Sequence, residues 1–278
     1  MNKKLLIISL VLISLGLVLI TSSATRAQAA NEFTVPLSDP AKRGKLKVHL
    51  NYGSITVKGT ARRDILVRYA SAQEEDENRR NDEDESRSGL KRIGGGGMEL
   101  EVTENNNQVN VKSNSWNHRI NLEIEIPSGM DLNLHTYNGG DLMVTNVQGE
   151  LVLSNYNGEI TALNISGSAV ASTYNGEIRL TFDKVTENTP MSYSTYNGDI
   201  DLTFPSAFKA TLKMKTEQGE ILTGFDVKLT SSGPVQMKDT SGGVTKIIVD
   251  DWKRAEVNGG GAEVTIKNYN GDILIRKK

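Results

Sequence analysis

From residue 45 onward, apolar and polar side chains alternate in short runs: "KLKVHLNYGSITVKG" (45–59), "DILVRYA" (64–70), "QVNVKS" (108–113) and "INLEIEIPSGMDLNLHTYNG" (120–139). A step of two places every second side chain on one face, the signature of a strand with one side buried. The pattern continues as Leu142/Val144, Leu151/Leu153, Ile160/Ala162, Ile178/Leu180/Phe182, Ile200/Leu202/Phe204 and Ile273/Ile275.

A second, longer period lies over the first. Glycine stands at 140, 149, 158, 167 and 176, four consecutive steps of nine residues. A tyrosine word marks every second one: "NYNGEI" at 155, "TYNGEI" at 173, "TYNGDI" at 195, "NYNGDI" at 268 and a looser "TYNGGDL" at 136. The full repeat is therefore about 18 residues with two strands. The later glycine spacings widen to 22 (Gly176 to Gly198) and 21 (Gly198 to Gly219), which predicts loops inserted at one corner; "EQGEIL" at 217 reads as the same word without its tyrosine.

A unit this short closes no core alone, so copies must stack on one another. The predicted fold is all-β, a single-stranded parallel β-helix or β-solenoid with about 18–22 residues per coil. Stacking at about 4.8 Å would align like residues in columns. Glycine supplies the positive φ of the corner, asparagine amides bond from copy to copy, and tyrosine rings add contact area. Strand edges at the ends of such a stack need protection. The cationic finish "ILIRKK" is expected at one end and residues 31–44, with Pro36 and Pro40, as a cap or linker at the other.

Composition agrees with this picture: Gly 26, Pro 6 and 5% aromatic residues favour short strands and tight turns. Residues 1–30 carry a basic start, an apolar run from Leu5 to Ile20 and an A-x-A exit at Ala27 and Ala29, which reads as a signal peptide; an uncleaved anchor is the competing reading. Cleavage leaves 29 cationic against 34 acidic side chains, a net charge of −5, which gives nucleic acid no electrostatic hold. The absence of cysteine excludes both a disulfide frame and a lipidated cysteine. No second apolar run follows Ile20, so no membrane span is expected after cleavage. The domain proper is then 45–278, interrupted by a charged segment at 73–97 that reads as a mobile loop.

Candidate chemistry falls on the corners. Tyr137, Tyr156, Tyr174 and Tyr196 form either an outward strip able to stack on sugar rings or a seal over the corner, and Trp116 in "SNSWNHR" marks the least repetitive polar segment. Asp141, Glu159, Glu177 and Asp199 make an acidic column with weak calcium-ligand character, since the tandem G-G-x-G-x-D pattern is missing; solvated acids are the simpler reading. His49, His118 and His135 have no ligand spacing, and no nucleophile elbow, P-loop or dinucleotide fingerprint is present. No metal or other cofactor is expected.

The leader, "IPSG" before an alternating strand and the repeated "YNGDI" or "NGEI" corners together resemble a bacterial family of adhesin-like domains of the single-stranded right-handed β-helix type. That resemblance implies the handedness and a role in adhesion or at the cell envelope, and it supplies no catalytic residues. The resulting expectation is an exported, periplasmic or extracellular, non-catalytic monomer that binds a glycan or an envelope component. Two alternatives stand beside it: a β-helix polysaccharide lyase or glycosidase, for which repeated equivalent acids are a poor match, and a membrane-anchored envelope scaffold or regulator.

Overall fold

The computed structural model describes residues 31–73, 100–231, 235–241, 244–250 and 252–278. The expected signal peptide (1–30) and nearly all of the expected charged loop (74–97) lie outside the described residues. Among the described residues every element is a strand. The first half runs β1 (Asn31–Pro36), β2 (Lys45–Tyr52), β3 (Ile55–Thr60), β4 (Asp64–Gln73), β5 (Glu101–Asn105), β6 (Gln108–Ser113), β7 (His118–Pro127), β8 (Asp131–Asn138), β9 (Leu142–Thr145), β10 (Gln148–Ser154) and β11 (Ile160–Ser172). The second half runs β12 (Ile178–Val185), β13 (Met191–Ser194), β14 (Ile200–Phe204), β15 (Ala210–Lys215), β16 (Ile221–Thr223), β17 (Val227–Ser231), β18 (Val235–Ser241), β19 (Val244–Asp250), β20 (Lys253–Val257), β21 (Glu263–Lys267) and β22 (Ile273–Lys277). Twenty of these join one sheet, while β18 and β19 pair as a separate antiparallel hairpin.

The alternation seen in the sequence sets the core. Leu151 and Leu153 of β10, Ile160 and Ala162 of β11, and Leu180 and Phe182 of β12 all point inward and join one continuous apolar cluster. Phe182, Phe204 and Phe208 stack in it with centroids 5.0 and 4.0 Å apart.

Neighbouring copies of the repeat are parallel and in register. Ile160 pairs with Ile178, Ile178 with Ile200, and Gly149 with Gly167. β11 belongs to two rungs, its first half lying between β9 and β12 and its second between β10 and β13, because it bends at Asn164, which adopts a left-handed φ of 54° beside Asn146 at 58°. These asparagines mark a second corner, and the Asn164 amide donates to Oδ1 of Asn146 (3.3 Å).

The order of rungs in space differs from their order in the chain. Read along the ladder, the rungs are β6–β7, β2–β3, β8–β9, β10 with the first half of β11, the second half of β11 with β12, β13–β14, β21–β22, and β15–β16. The segment 45–60 is thus inserted between later segments, and 263–277 is inserted between two earlier ones. The cationic finish therefore protects no edge: β22 is hydrogen-bonded on both sides, to β14 and β16. A different device covers the ends. Parallel pairing gives way to antiparallel, with β4 on β7, β1 on β4 and β5 on β6 at one end, and β20 on β15 and β17 on β20 at the other. Arg68 ties the first of these layers together, binding Glu32 of β1 and Glu125 of β7. This contact holds the Glu125 carboxyl below its usual range.

Candidate functional site

The tyrosine word places each of its residue types in a fixed environment. Its first residue, Thr or Asn, points inward and donates to the glycine carbonyl of the previous rung: Thr136 to Gly53, Asn155 to Gly140, Thr173 to Gly158, Thr195 to Gly176, Asn268 to Gly198 and Thr216 to Gly271, at 2.7–3.0 Å. This satisfies a buried carbonyl that the tight corner leaves without a strand partner. Asn268 does so imperfectly, because its Oδ1 is buried without a partner. Replacing it with threonine, which both flanking rungs carry, keeps the donor and removes the orphaned acceptor. Asn268→Thr is expected to stabilise the fold by about 1 kcal/mol, read as a rise in urea midpoint at unchanged slope.

The third position is a run of asparagines bonded amide to carbonyl: Asn157 to Asn138 (3.3 Å), Asn175 to Asn157 (2.8 Å), Asn197 to Asn175 (2.7 Å) and Asn270 to Asn197 (2.7 Å). The acid that follows the glycine is used repetitively too. Asp141, Asp199 and Asp272 accept the backbone N–H of the acid one rung on, from Glu159, Asp272 and Glu220, at 2.8–2.9 Å. Glu177 pairs with Arg179. The four acids with possible calcium character thus lie along one line, with Asp141, Asp199 and Glu177 already partnered. Among the described residues no three His, Cys, Asp or Glu side chains gather as a metal site would require.

Between the inward residue and the asparagine stands the tyrosine. Tyr137, Tyr156, Tyr174, Tyr196 and Tyr269 form one column with ring centroids 4.7, 5.1, 4.8 and 4.6 Å apart and planes within 8° of parallel. Each tyrosine remains 38–41% exposed. Trp116, the most open aromatic at 58%, closes one end by an edge contact with Tyr137 at 5.3 Å. The structure therefore brings together all five aromatics singled out from the sequence, and adds Tyr269. Its word was visible in the sequence, but no run of regularly spaced glycines leads up to it from Gly219 to show where it stacks. Tyr52, from the related "NYGSI", stays out of the column. With no residue between Tyr52 and Gly53, its ring turns inward and lies where a Cβ on Gly139 would fall.

Stacking changes what the column can do. Ring faces are occupied by neighbouring rings, so solvent meets ring edges and a row of phenol hydroxyls. Partial burial, then the nearness of Tyr269 and Tyr174, raises the Tyr196 phenol above its usual pKa. Beside the strip runs a second column in the same register, containing His49, His135, Ser154, Ser172 and Ser194.

Of the three histidines, His49 and His135 meet face to face at 4.7 Å, with Lys112 next in the column beyond His49. His118 is buried apart from them, its backbone N–H donating to Ser115 Oγ. Burial, and secondarily His49, lower the pKa of His135. The folded state thus binds fewer protons than the unfolded chain, so the contribution is intact above about pH 6.5 and declines as pH falls through that value. The urea midpoint is expected to drop between pH 7.5 and pH 5.5, and His135→Gln to flatten the drop. The lowered carboxyls of Asp39, Glu104 and Glu125 act in the more acidic range, below about pH 4.5.

A family model, Toastrack DUF4097, matches residues 28–276. No curated protein matches the chain. Among solved structures, a candidate cell adhesion protein from Clostridium sporogenes is 14% identical, with 90% of this chain and 100% of that chain covered and a TM-score of 0.48. A candidate adhesin from Bacteroides fragilis is 8% identical, with 91% and 98% covered and a TM-score of 0.31.

Proposed function

We propose that this chain, which belongs to the Toastrack DUF4097 family, is an exported, non-catalytic β-solenoid whose tyrosine strip is an adhesin-type contact surface for a glycan or cell-envelope polymer. In this reading each parallel rung is one coil of about 18–22 residues, wound right-handed, and the protein acts in the periplasm or outside the cell. The observation that carries it is the equivalence of the rungs. Five tyrosines in line present the same hydroxyl and ring edge at each step, with serines or asparagines alongside. An extended polymer lying along the strip meets the same donors and acceptors repeatedly, so many weak contacts sum to useful avidity. Because ring edges rather than faces are presented along the strip, contact there is by hydrogen bonding to the phenols, and face stacking on a sugar is confined to the ends of the column, at Trp116 and on the side of Tyr269 that no ring among the described residues covers. The acids support a binding role, since Asp141, Asp199 and Asp272 share one structural task, whereas acid/base chemistry needs two carboxyls in contrasting environments.

The test is one panel of surface and cell-wall polysaccharides, scored for both binding and product release with residues 31–278. Saturable binding without products, weakened at least tenfold by Tyr156→Phe/Tyr174→Phe, is expected. Silence across the panel would remove the reading. Release of reducing ends or unsaturated products, abolished by changing one particular acid, would replace it with an enzyme.

A further inference from the structure

The widened spacing between Gly176 and Gly198 has a structural counterpart far from the tyrosines. Its extra residues fall between β12 and β13, at the end of β13 remote from Tyr196. The loop of the neighbouring segment, Pro205–Lys209, and the turn 258–262 before β21 open on the same side, and the three surround a cavity of about 370 Å³. That volume lies within the range of small-molecule sites.

The cavity is apolar within and cationic at its mouth. Met191, Phe208 and Val264, each at most 5% exposed, form its interior wall. Lys184 and Lys209 stand on the rim, and neither makes an ion pair among the described residues. Of the two rim carboxylates, Asp183 is engaged by Lys278, which leaves Glu187 against two lysines. Two of the three loops, Pro205–Lys209 and 258–262, are fixed to one another before any ligand arrives. The Asn258 amide donates to the carbonyls of Ser206 (3.0 Å) and Phe208 (2.7 Å), and the backbone at Gly261 packs so closely that a Cβ there would lie 2.8 Å from the Lys209 carbonyl oxygen. A preformed cavity loses little ordering entropy on binding.

We infer that this cavity binds a small amphipathic anion, with a single apolar chain against Met191, Phe208 and Val264 and a carboxylate held between Lys184 and Lys209. The site is independent of the tyrosine strip and of the function assigned to it. Such a carboxylate could be a free fatty acid, or the chemistry could be met by an acyl chain with an anionic headgroup in a membrane.

Calorimetric titration of the folded protein with decanoate and with decanol tests the assignment. Decanoate is expected to bind saturably at one site per chain and at least tenfold more tightly than decanol. Lys184→Gln/Lys209→Gln should remove that preference and leave decanol binding unchanged. Ala207→Trp, a substitution at an exposed position on the cavity wall, should abolish both, with thermal unfolding confirming that each variant is folded. Tyr174→Phe should leave decanoate binding intact, which separates this result from failure of the strip. Co-sedimentation with phosphatidylglycerol vesicles, sensitive to the same lysine pair, identifies membrane lipid as the source; decanoate binding without co-sedimentation identifies the free acid. No saturable decanoate binding, equal affinity for decanol, or binding that survives Ala207→Trp overturns the inference.

Discussion

A chain shortened to residue 262 is expected to lose cooperative unfolding altogether, with no urea transition by far-UV circular dichroism where the full-length protein shows one. The removed strands β21 and β22 form an interior rung, paired to β13 and β14 on one side and to β15 and β16 on the other. They bury Val264, Ile266, Ile273 and Ile275, each at most 1% exposed. At about 1.5–3 kcal/mol per buried aliphatic side chain, these four alone contribute on the order of 6–12 kcal/mol, comparable to the whole stability of a typical domain, about 5–15 kcal/mol. Were this segment a last rung, its loss would expose one surface and leave every other pairing intact. A truncated protein that still unfolds in one sharp transition, with a modestly lowered midpoint, would contradict the insertion.

The second large effect sits in one atom. Gly198 has φ +134°, and a Cβ built on it lies 2.3 Å from the Gly176 carbonyl oxygen and 2.5 Å from its carbon. Both obstacles are backbone, so no side-chain rotation relieves them, and the rung must move away from its neighbour. Gly198→Ala is expected to cost about 4 kcal/mol, combining steric overlap with an unfavourable backbone conformation. Gly129→Ala is the control. A Cβ there meets nothing within 4 Å, and its effect should stay within about 0.5 kcal/mol. Chemical denaturation of the two variants side by side measures the difference, and similar midpoints would show that the corners do not need their glycines.

The sequence made local geometry readable and left rung order obscure, for a physical reason. Between Gly140 and Gly198 each repeat is followed at once by the next, so glycine spacing alone gives the registers Ile160 with Ile178 and Ile178 with Ile200. Beyond Gly198 that logic fails. The corner word makes any two copies compatible, since Thr or Asn, Tyr, Asn and Gly meet their counterparts equally well, and which copies become neighbours is decided by the path between them. The word at 217–220 therefore reads as the next step after Gly198, although Gly271 takes that place and Gly219 follows it. The same ambiguity hid Tyr269 from the aromatic strip. A single missing residue had the opposite effect at Tyr52, where the word is present but the alternation of faces sends the ring into the core. The cavity was announced only as irregular spacing, because its lining comes from three loops separated by up to about 75 positions in the chain, and their convergence is a property of stacking.

The insertion of 45–60 and 263–277 between other segments bears on how the protein transmits tension. A load drawn through residue 45 or residue 278 enters a strand gripped along both flanks, β2 by β6 and β8, and β22 by β14 and β16. Peeling a strand from an open edge breaks one bond at a time at low force, whereas extracting a doubly held strand requires both flanking ladders to yield together. Resistance to extraction is thus built into the threading of the chain: a load from residue 278 meets the doubly held β22 directly, and one from the N-terminal side reaches the doubly held β2 after β1, which pairs with β4 alone, has given way.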